Sequence, residues 1–475
     1  MQQHGIKSIS VKGLHHYLDI DLKFNDGLNI IYGKNGKGKT TVLHIIANIL
    51  ELDIGQFKYL QFSSISIESF NRVTIDIEKD LMGKIRLFID GNEAGSHEGD
   101  NLTPDISPAE RGAIRSAFGG RPVYLPAFRA ILERVRTPGY DHPRDTLFEK
   151  IKSQELEILG EQDITPRSRP WHALEGVAAT TARKTTQCRE WFGNFVPIIR
   201  YPSLTDVSDS ITNEFFEAQS EISNSERKML SSMFVSVFRA LVSHDETPSD
   251  GEVEPLLKRV RDCLDIEDDN YYPDHISAQL ASALYKVGEA ESREQSEAQK
   301  RVLKLYAEML ESRKHERAAA FHKVRAFEDA VNVFLDGKTL HVSDQWRPKG
   351  SRYRNCVYIE TENGKKYPLT SLSSGERQIL TMLFSATRMS KTASGTFLID
   401  EPELSLHVDW QRIILGILKS QARDRQIIAC THSPEVGADH SDEAVHFFSP
   451  TISNSSATAS IVEGDDGVFV MDDGV

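Results

Sequence analysis

The sequence predicts an α/β fold in which one β/α core is interrupted by a large, mostly helical insertion. Three observations predict it. An apolar run at 28–31 passes through a glycine-rich turn into helical spacing at 39–46, the pattern of a buried strand feeding a helix. Helical spacing then dominates from about residue 128 to 335. Strand texture returns from residue 338, and apolar runs at 397–399 and 427–430 end in acidic and hydroxyl-bearing residues. A β-rich start, a helical middle and a β/α end describe one core split in two, with divisions at 1–127, 128–337 and 338–475.

Residues 6–31 read as two or three strands. The turn at 33–41, GKNGKGKTT, matches G-x-x-x-x-G-K-[ST] at Gly33, Gly38, Lys39 and Thr40. An anion cradle needs these residue types. Glycines let the backbone bend until the N–H groups of Lys34, Asn35, Gly36, Lys37 and Gly38 point into one concavity. The helix opening at Lys39, Thr40 and Thr41 adds partial positive charge there. Lys39 is placed to reach the β- and γ-phosphates of a bound ATP, and the Thr40 hydroxyl to ligate Mg2+.

Period-two alternation at Val73, Ile75, Ile77 and at Ile85, Leu87, Ile89 predicts antiparallel strands within 66–90. Residues 92–107, with Gly, Asp, Ser and Pro, read as a loop, and 123–125 as a strand running into Pro126. Helical spacing marks 131–136, 147–159, 212–222, 226–242 and 277–287, with an acidic, proline-containing loop at 244–255. The last helical pattern, about 289–335, extends ~70 Å if unbroken. Phe321, Val324, Phe327, Val331 and Phe334 form an apolar stripe that lapses across 313–317, so a continuous coiled coil is not expected. Further on, a hairpin turns at Asn363-Gly364, a serine–glycine turn opens a helix near 373, and a short strand at 468–471 follows a serine-rich loop at 451–460.

Composition narrows the classes. With 56 Lys+Arg against 70 Asp+Glu, the net charge of −14 excludes a surface that is basic all over. Two arginine-rich stretches (Arg111, Arg115, Arg121, Arg129, Arg134, Arg136; then Arg347, Lys349, Arg352, Arg354) read either as solvated faces and internal ion pairs or as a local DNA contact. No apolar run approaches the ~20 residues of a membrane span. The start, MQQHGIKSIS, has neither a secretory h-region nor a transit-peptide bias. Cys188, Cys263, Cys356 and Cys430 are scattered, with no C-x-x-C, so neither a disulfide framework nor a zinc knuckle is implied. A soluble, cytoplasmic protein with no membrane partner is expected.

Phosphoryl transfer also needs a metal anchor and an orienter for the attacking water. Asp400 and Glu401 end an apolar strand, where ligands bind in α/β sheets. Asp400 is the candidate Mg2+ ligand with Thr40, and Glu401 the candidate to polarise water. Two acids after a strand also suit a helix cap. His432 follows the strand at 426–430 and either contacts the γ-phosphate or is a surface or capping residue. Residues 372–376 open a helix with hydroxyls and N–H groups, an anion-binding end or simply a good N-cap.

In this order the stretches resemble a known superfamily. Residues 33–41, 372–378, 398–401 and 431–434 resemble the Walker A, signature, Walker B and H-loop elements of ABC-type ATPases. The fold this implies is an ABC-ATPase head, a P-loop NTPase core with an antiparallel β-subdomain. In that superfamily two ATPs lie between two protomers. The resemblance therefore implies a homodimer through an ATP sandwich, capable of higher assembly. Ser373, Ser374 and Gly375, with Glu376 beside them, would cap nucleotide held at Lys39 of the second copy.

Transporter subunits carry LSGGQ much nearer the P-loop; this chain has LSSGE, so transport is not expected. The insertion resembles the SMC/RecF branch, without the long arms or the C-x-x-C of its zinc-hook relatives. DEPELSLH, followed by THSPE, is most similar to the OLD-type ATPases of prokaryotic defence systems. OLD nucleases continue into a Toprim domain. Residues 462–466 resemble its opening superficially, but the stretch to Val475 is too short for that fold. The expectation is a nuclease on a separate polypeptide. Septu systems, which also occur within some retrons, pair an OLD-like ATPase with an HNH nuclease; PARIS systems hold a Toprim effector.

The resemblance thus implies an ATP-binding, ATP-hydrolysing subunit of an antiphage complex that regulates a nuclease, HNH-type favoured, with DNA contact indirect. An ATP-sensing scaffold with little turnover and a RecF-like repair ATPase acting on DNA are the competing readings. Two departures stand out. Gly13-Leu14-His15-His16-Tyr17 occupies the place of an aromatic–basic pair, and no Q-loop glutamine is found, since Gln56 and Gln61 come early and 123–125 runs into Pro126.

Overall fold

The computed structural model describes residues 4–33, 35–97, 107–132, 146–159, 169–242, 250–264, 297–344, 356–388 and 395–446. β1 (Ile6–Leu14) and β2 (Leu18–Lys23) form an antiparallel hairpin whose alternating Ile9, Val11, Ile20 and Leu22 face the core. β3 (Leu28–Tyr32) leaves that layer and ends at the glycine turn, and α1 (Lys39–Leu50) follows. An apolar run from Val42 to Leu50, broken by His44 and Asn48, keeps α1 buried almost throughout.

β4 (Ser64–Ser69), β5 (Thr74–Lys79), β6 (Ile85–Ile89) and β7 (Asn92–His97) complete a six-stranded antiparallel sheet in the order β2-β1-β4-β5-β6-β7. Residues 92–97 are therefore strand where the sequence suggests loop. Among the described residues β7 is an edge strand that pairs with β6 alone, and backbone pairing at an edge needs no apolar alternation. Ser107 and Glu110 form a capping box at the start of α2 (Pro108–Ala117). β8 (Val123–Leu125) and the short α3 (Arg129–Leu132) lead into the insertion.

The insertion contains α4 (Thr146–Leu159), α5 (Arg169–Phe192), α6 (Leu204–Val242), α7 (Asp250–Leu264) and α8 (Glu297–Asn332). The expected helices at 212–222 and 226–242 are one helix. α6 packs along α8, which outweighs the weak helix propensity of Ser223-Asn224-Ser225. The loop expected at 244–255 gives way to helix at Asp250. Pro255 lies inside α7, whose Leu256, Leu257 and Val260 pack on Leu303, Tyr306, Ala307 and Leu310 of α8. The patterns at 133–136, 277–287, 451–460 and 468–471 lie outside the described residues. No helix among the described residues is long and apolar enough to cross a membrane.

β9 (Lys338–Val342), β10 (Val357–Thr361) and β11 (Lys366–Tyr367) make a three-stranded antiparallel sheet, turning at Gly364 with φ +68°. α9 (Ser374–Arg388), β12 (Phe397–Asp400), α10 (Val408–Gln421), β13 (Ile427–Thr431) and β14 (Ala444–His446) complete the elements of the described residues. The second large sheet has the order β14-β3-β13-β12-β8, with every neighbouring pair parallel. β3 from the start of the chain sits between two strands from its end, with Ile30 opposite Ala429. Parallel strands share one carboxyl edge, so Gly33, Pro126, Glu401 and His432 all emerge there. The main core is continuous across the division at 128, since Val196, Ile199, Val207, Ile211 and the stripe from Phe321 to Phe334 pack into the same cluster as the β-strands.

Candidate functional site

Gly36 and Gly38 adopt φ +75° and +90°, a left-handed bend that a Cβ would strain. Gly38 is the N-cap of α1 and supplies no side-chain cap, and the first turn carries no acid. Asn35, Gly36, Lys37 and Thr40 are exposed; Lys34 lies outside the described residues. Lys39 is buried, and its Nζ donates to the Gly33 carbonyl at 2.6 Å. The Thr40 hydroxyl donates to Asp400 Oδ2 at 2.8 Å.

Asp400 closes β12 and is only 2% exposed. Burial pushes its carboxyl up to about 6, against the pull of the Thr40 hydroxyl. Glu401 has φ +48°, a left-handed backbone uncommon for a residue with a side chain. Its N–H donates to Cys430 O at 2.8 Å. Its carboxylate lies 3.7 Å from His432 Nδ1.

The signature-like turn is closed by its own residues. Ser373 N–H donates to Glu376 Oε2 at 2.7 Å, and Glu376 N–H to Ser373 Oγ at 3.4 Å. Lys338 adds an ion pair to the same carboxylate at 2.9 Å. Burial opposes ionisation of Glu376, but Lys338 and the Ser373 donors hold its carboxyl below the usual range. Glu376 thus points into the protein, while Ser373 and Ser374 are exposed. A Cβ on Gly375 would stand 3.0 Å from Ser405 O and 3.3 Å from the Trp410 ring, so this turn packs on the segment that follows the acids.

Two residues that sequence reasoning did not single out organise the strand ends. Glu403 is 7% exposed. Its Oε1 accepts from Thr431 Oγ1 at 2.7 Å, His432 N–H at 3.1 Å and Ser433 N–H at 3.3 Å. The same oxygen is 3.1 Å from His432 Nδ1. Arg129 is fully buried and donates to the carbonyls of Asp400, Glu401 and Pro402. It stands just beyond β8, in a stretch that carries no glutamine. Only the E-P-E spacing around Glu403 hints at its role; Arg129 was hidden in a basic stretch. That stretch is not one solvated face, because Arg121 and Arg129 are both inside the protein. Arg134, Arg136 and the stretch at 347–354 lie outside the described residues.

Fold and site together define a P-loop α/β head with an antiparallel β-subdomain. The chain belongs to the family described as "AAA domain, putative AbiEii toxin, Type IV TA system", which matches residues 199–439. Residues 8–169 match a second family, described as "AAA domain". The chain is also similar to the "Retron Ec83 probable ATPase" of Escherichia coli, 30% identical over 144 residues that cover 28% of this chain and 24% of that protein. It thus aligns with about a quarter of that relative's length.

Among solved structures it is similar to the Smc head domain of Pyrococcus furiosus with an extended coiled coil, bound to the C-terminal domain of ScpA. Identity is 13%, coverage 94% of this chain and 96% of that one, and the TM-score 0.38. The Smc head domain of Pyrococcus yayanosii with a coiled coil and joint is 14% identical, with coverage of 94% and 97% and a TM-score of 0.34.

Proposed function

We propose that the chain binds Mg-ATP in the cradle at 33–41, hydrolyses it, and uses nucleotide state to recruit and regulate a separate nuclease in an antiphage complex. The contact of Thr40 Oγ1 with Asp400 Oδ2 carries this reading. A hydroxyl at the start of the phosphate-facing helix and a carboxylate at a neighbouring strand end are the pair that holds magnesium in P-loop ATPases. Lys39 and the backbone of the turn hold the β- and γ-phosphates. Magnesium, when bound at Thr40 and Asp400, supplies charge neutralisation at those oxygens. Glu401 orients the attacking water, and His432 lines the same edge of the sheet.

In a head-to-tail homodimer, Ser373, Ser374 and Gly375 of one copy cap nucleotide on the other. Glu376 serves that turn by bracing it against Lys338. The helical region at 128–337 is the proposed surface for dimerisation and for the effector. The similarity to a retron ATPase supports an effector partnership, with an HNH nuclease favoured over a Toprim protein. Gating requires a difference in effector affinity between nucleotide states, typically ~1–3 kcal/mol.

Two variants test the reading. Lys39→Ala should abolish ATP binding in an equilibrium titration; unchanged affinity would remove the cradle assignment. Glu401→Gln should keep binding and slow multiple-turnover phosphate release by about a hundredfold or more. The lack of a glutamine in 123–132, at and just beyond β8, favours one alternative, a nucleotide-sensing scaffold. Wild-type protein that binds ATP but releases phosphate only at background would establish it.

A further inference from the structure

We infer that Arg129 is a positioning residue for hydrolysis, clamping the backbone that presents Glu401; this rests on the reading of Asp400 and Glu401 as hydrolytic. Arg129 has no exposed surface. Nη1 donates to Asp400 O at 3.0 Å and to Pro126 O at 3.3 Å. Nη2 donates to Glu401 O at 2.9 Å and Pro402 O at 3.1 Å. The fork therefore spans three consecutive carbonyls at the end of β12 and ties them to the end of β8.

A buried guanidinium is costly and is normally retained beside a carboxylate. Here the charges of Asp400, Glu403 and Glu401 act on it from nearby, while the guanidinium donates to the backbone carbonyls beside them. Those carbonyls flank a residue under backbone strain, Glu401 at φ +48°. Such a conformation persists only when the surroundings over-determine it. Glu401 is held from both sides, its N–H on Cys430 O at 2.8 Å and its carbonyl on Arg129. Catalytic carboxylates tolerate little misplacement, so a loosened strand end should cost turnover before it costs binding. The neighbouring Phe128 stacks on Phe192 of α5 at 4.0 Å between ring centroids, which fixes the start of α3. Lysine is no substitute, because its point charge cannot bridge successive carbonyls in a plane.

The test compares wild type with Arg129→Lys and Arg129→Met in the full-length chain. Nucleotide affinity is read with a fluorescent ATP analogue, hydrolysis in single turnover, and hydrogen exchange on peptides covering 397–407. Arg129→Lys keeps the charge and should stay folded. It should bind within about twofold of wild type, hydrolyse at least about tenfold more slowly, and exchange faster at 401–406. Wild-type hydrolysis in Arg129→Lys overturns the inference, as do equal losses of affinity and turnover or unchanged exchange at 401–406. If Arg129→Met unfolds, Arg129→Lys alone decides. If wild type binds ATP without hydrolysing it, the proposed reaction fails, and the exchange comparison still decides whether Arg129 holds this backbone.

Discussion

Asp400, the proposed magnesium ligand, is buried at a cost to the fold. Its carboxyl titrates at about 6, chiefly through burial, against an ordinary value of 3.8. The folded chain thus binds this proton more tightly than the unfolded chain. Stability falls as pH rises from about 4 to about 6, and the full cost is present above that window. At ~1.4 kcal/mol per unit the cost is about 3 kcal/mol. Asp400→Asn should therefore stabilise the metal-free protein in urea unfolding at pH 8 by ~1–3 kcal/mol, while losing magnesium-dependent nucleotide binding. A gain that failed to shrink towards pH 4 would place the effect elsewhere. Glu403, three residues on, faces a different demand. It is a buried acceptor for the Thr431 hydroxyl and two N–H groups at the end of β13. Its position was legible in DEPELSLH, but its role depends on a strand that is remote in sequence.

At the scale of elements, α1 links the cradle to the sheet beneath it. His44 on its buried face shares a 2.8 Å hydrogen bond with Tyr124 of β8. Burial pushes the imidazole down to about 3, from an ordinary 6.5. The unfolded chain binds this proton more readily, so the stability tied to neutral His44 is complete above about 6.5 and is lost as pH falls below it. His44→Gln should flatten the acid side of the stability profile between pH 6.5 and 4, read by unfolding midpoints. An unchanged slope would show that other groups govern acid unfolding. The element pattern was readable where apolar period and burial coincide, as at Ile75 and Ile77. It was not readable at β7, an edge strand, or across Ser223–Ser225, where packing on α8 decides.

Across the whole molecule, the insertion grips the far end of the cradle helix. Glu51 and Asp53 lie at the carboxyl end of α1, where acids oppose the helix dipole. Both are buried and would resist ionisation, but Arg200 of the insertion, with Arg121 and Arg115, holds Glu51 below the ordinary carboxylate range, and Lys150 and Arg189 of the insertion hold Asp53 there. Arg200 pairs with Glu51. Lys150 and Arg189 pair with Asp53 at 2.6 and 3.0 Å. Removing one partner of a buried pair typically costs ~3–5 kcal/mol. Asp53→Ala should lower unfolding stability by about that much at neutral pH. Its penalty should shrink only at acid pH, once the wild-type carboxyl is protonated too. A loss below ~1 kcal/mol would mean that the clamp contributes little to holding insertion and head together.

The sequence by itself determined the glycine turn at 33–41 and the split α/β plan. Those features are written in adjacent residues: glycine spacing that permits one backbone bend, and apolar periods of two or three to four. The tertiary structure alone decided which side chains meet. Thr40 and Asp400 lie 360 positions apart and touch because β3 and β12 both flank β13 in one parallel sheet. Arg129 holds four carbonyls, and backbone acceptors leave no residue type to recognise. Local spacing encodes local bends, whereas contacts across a sheet depend on strand order and register, which no short motif specifies.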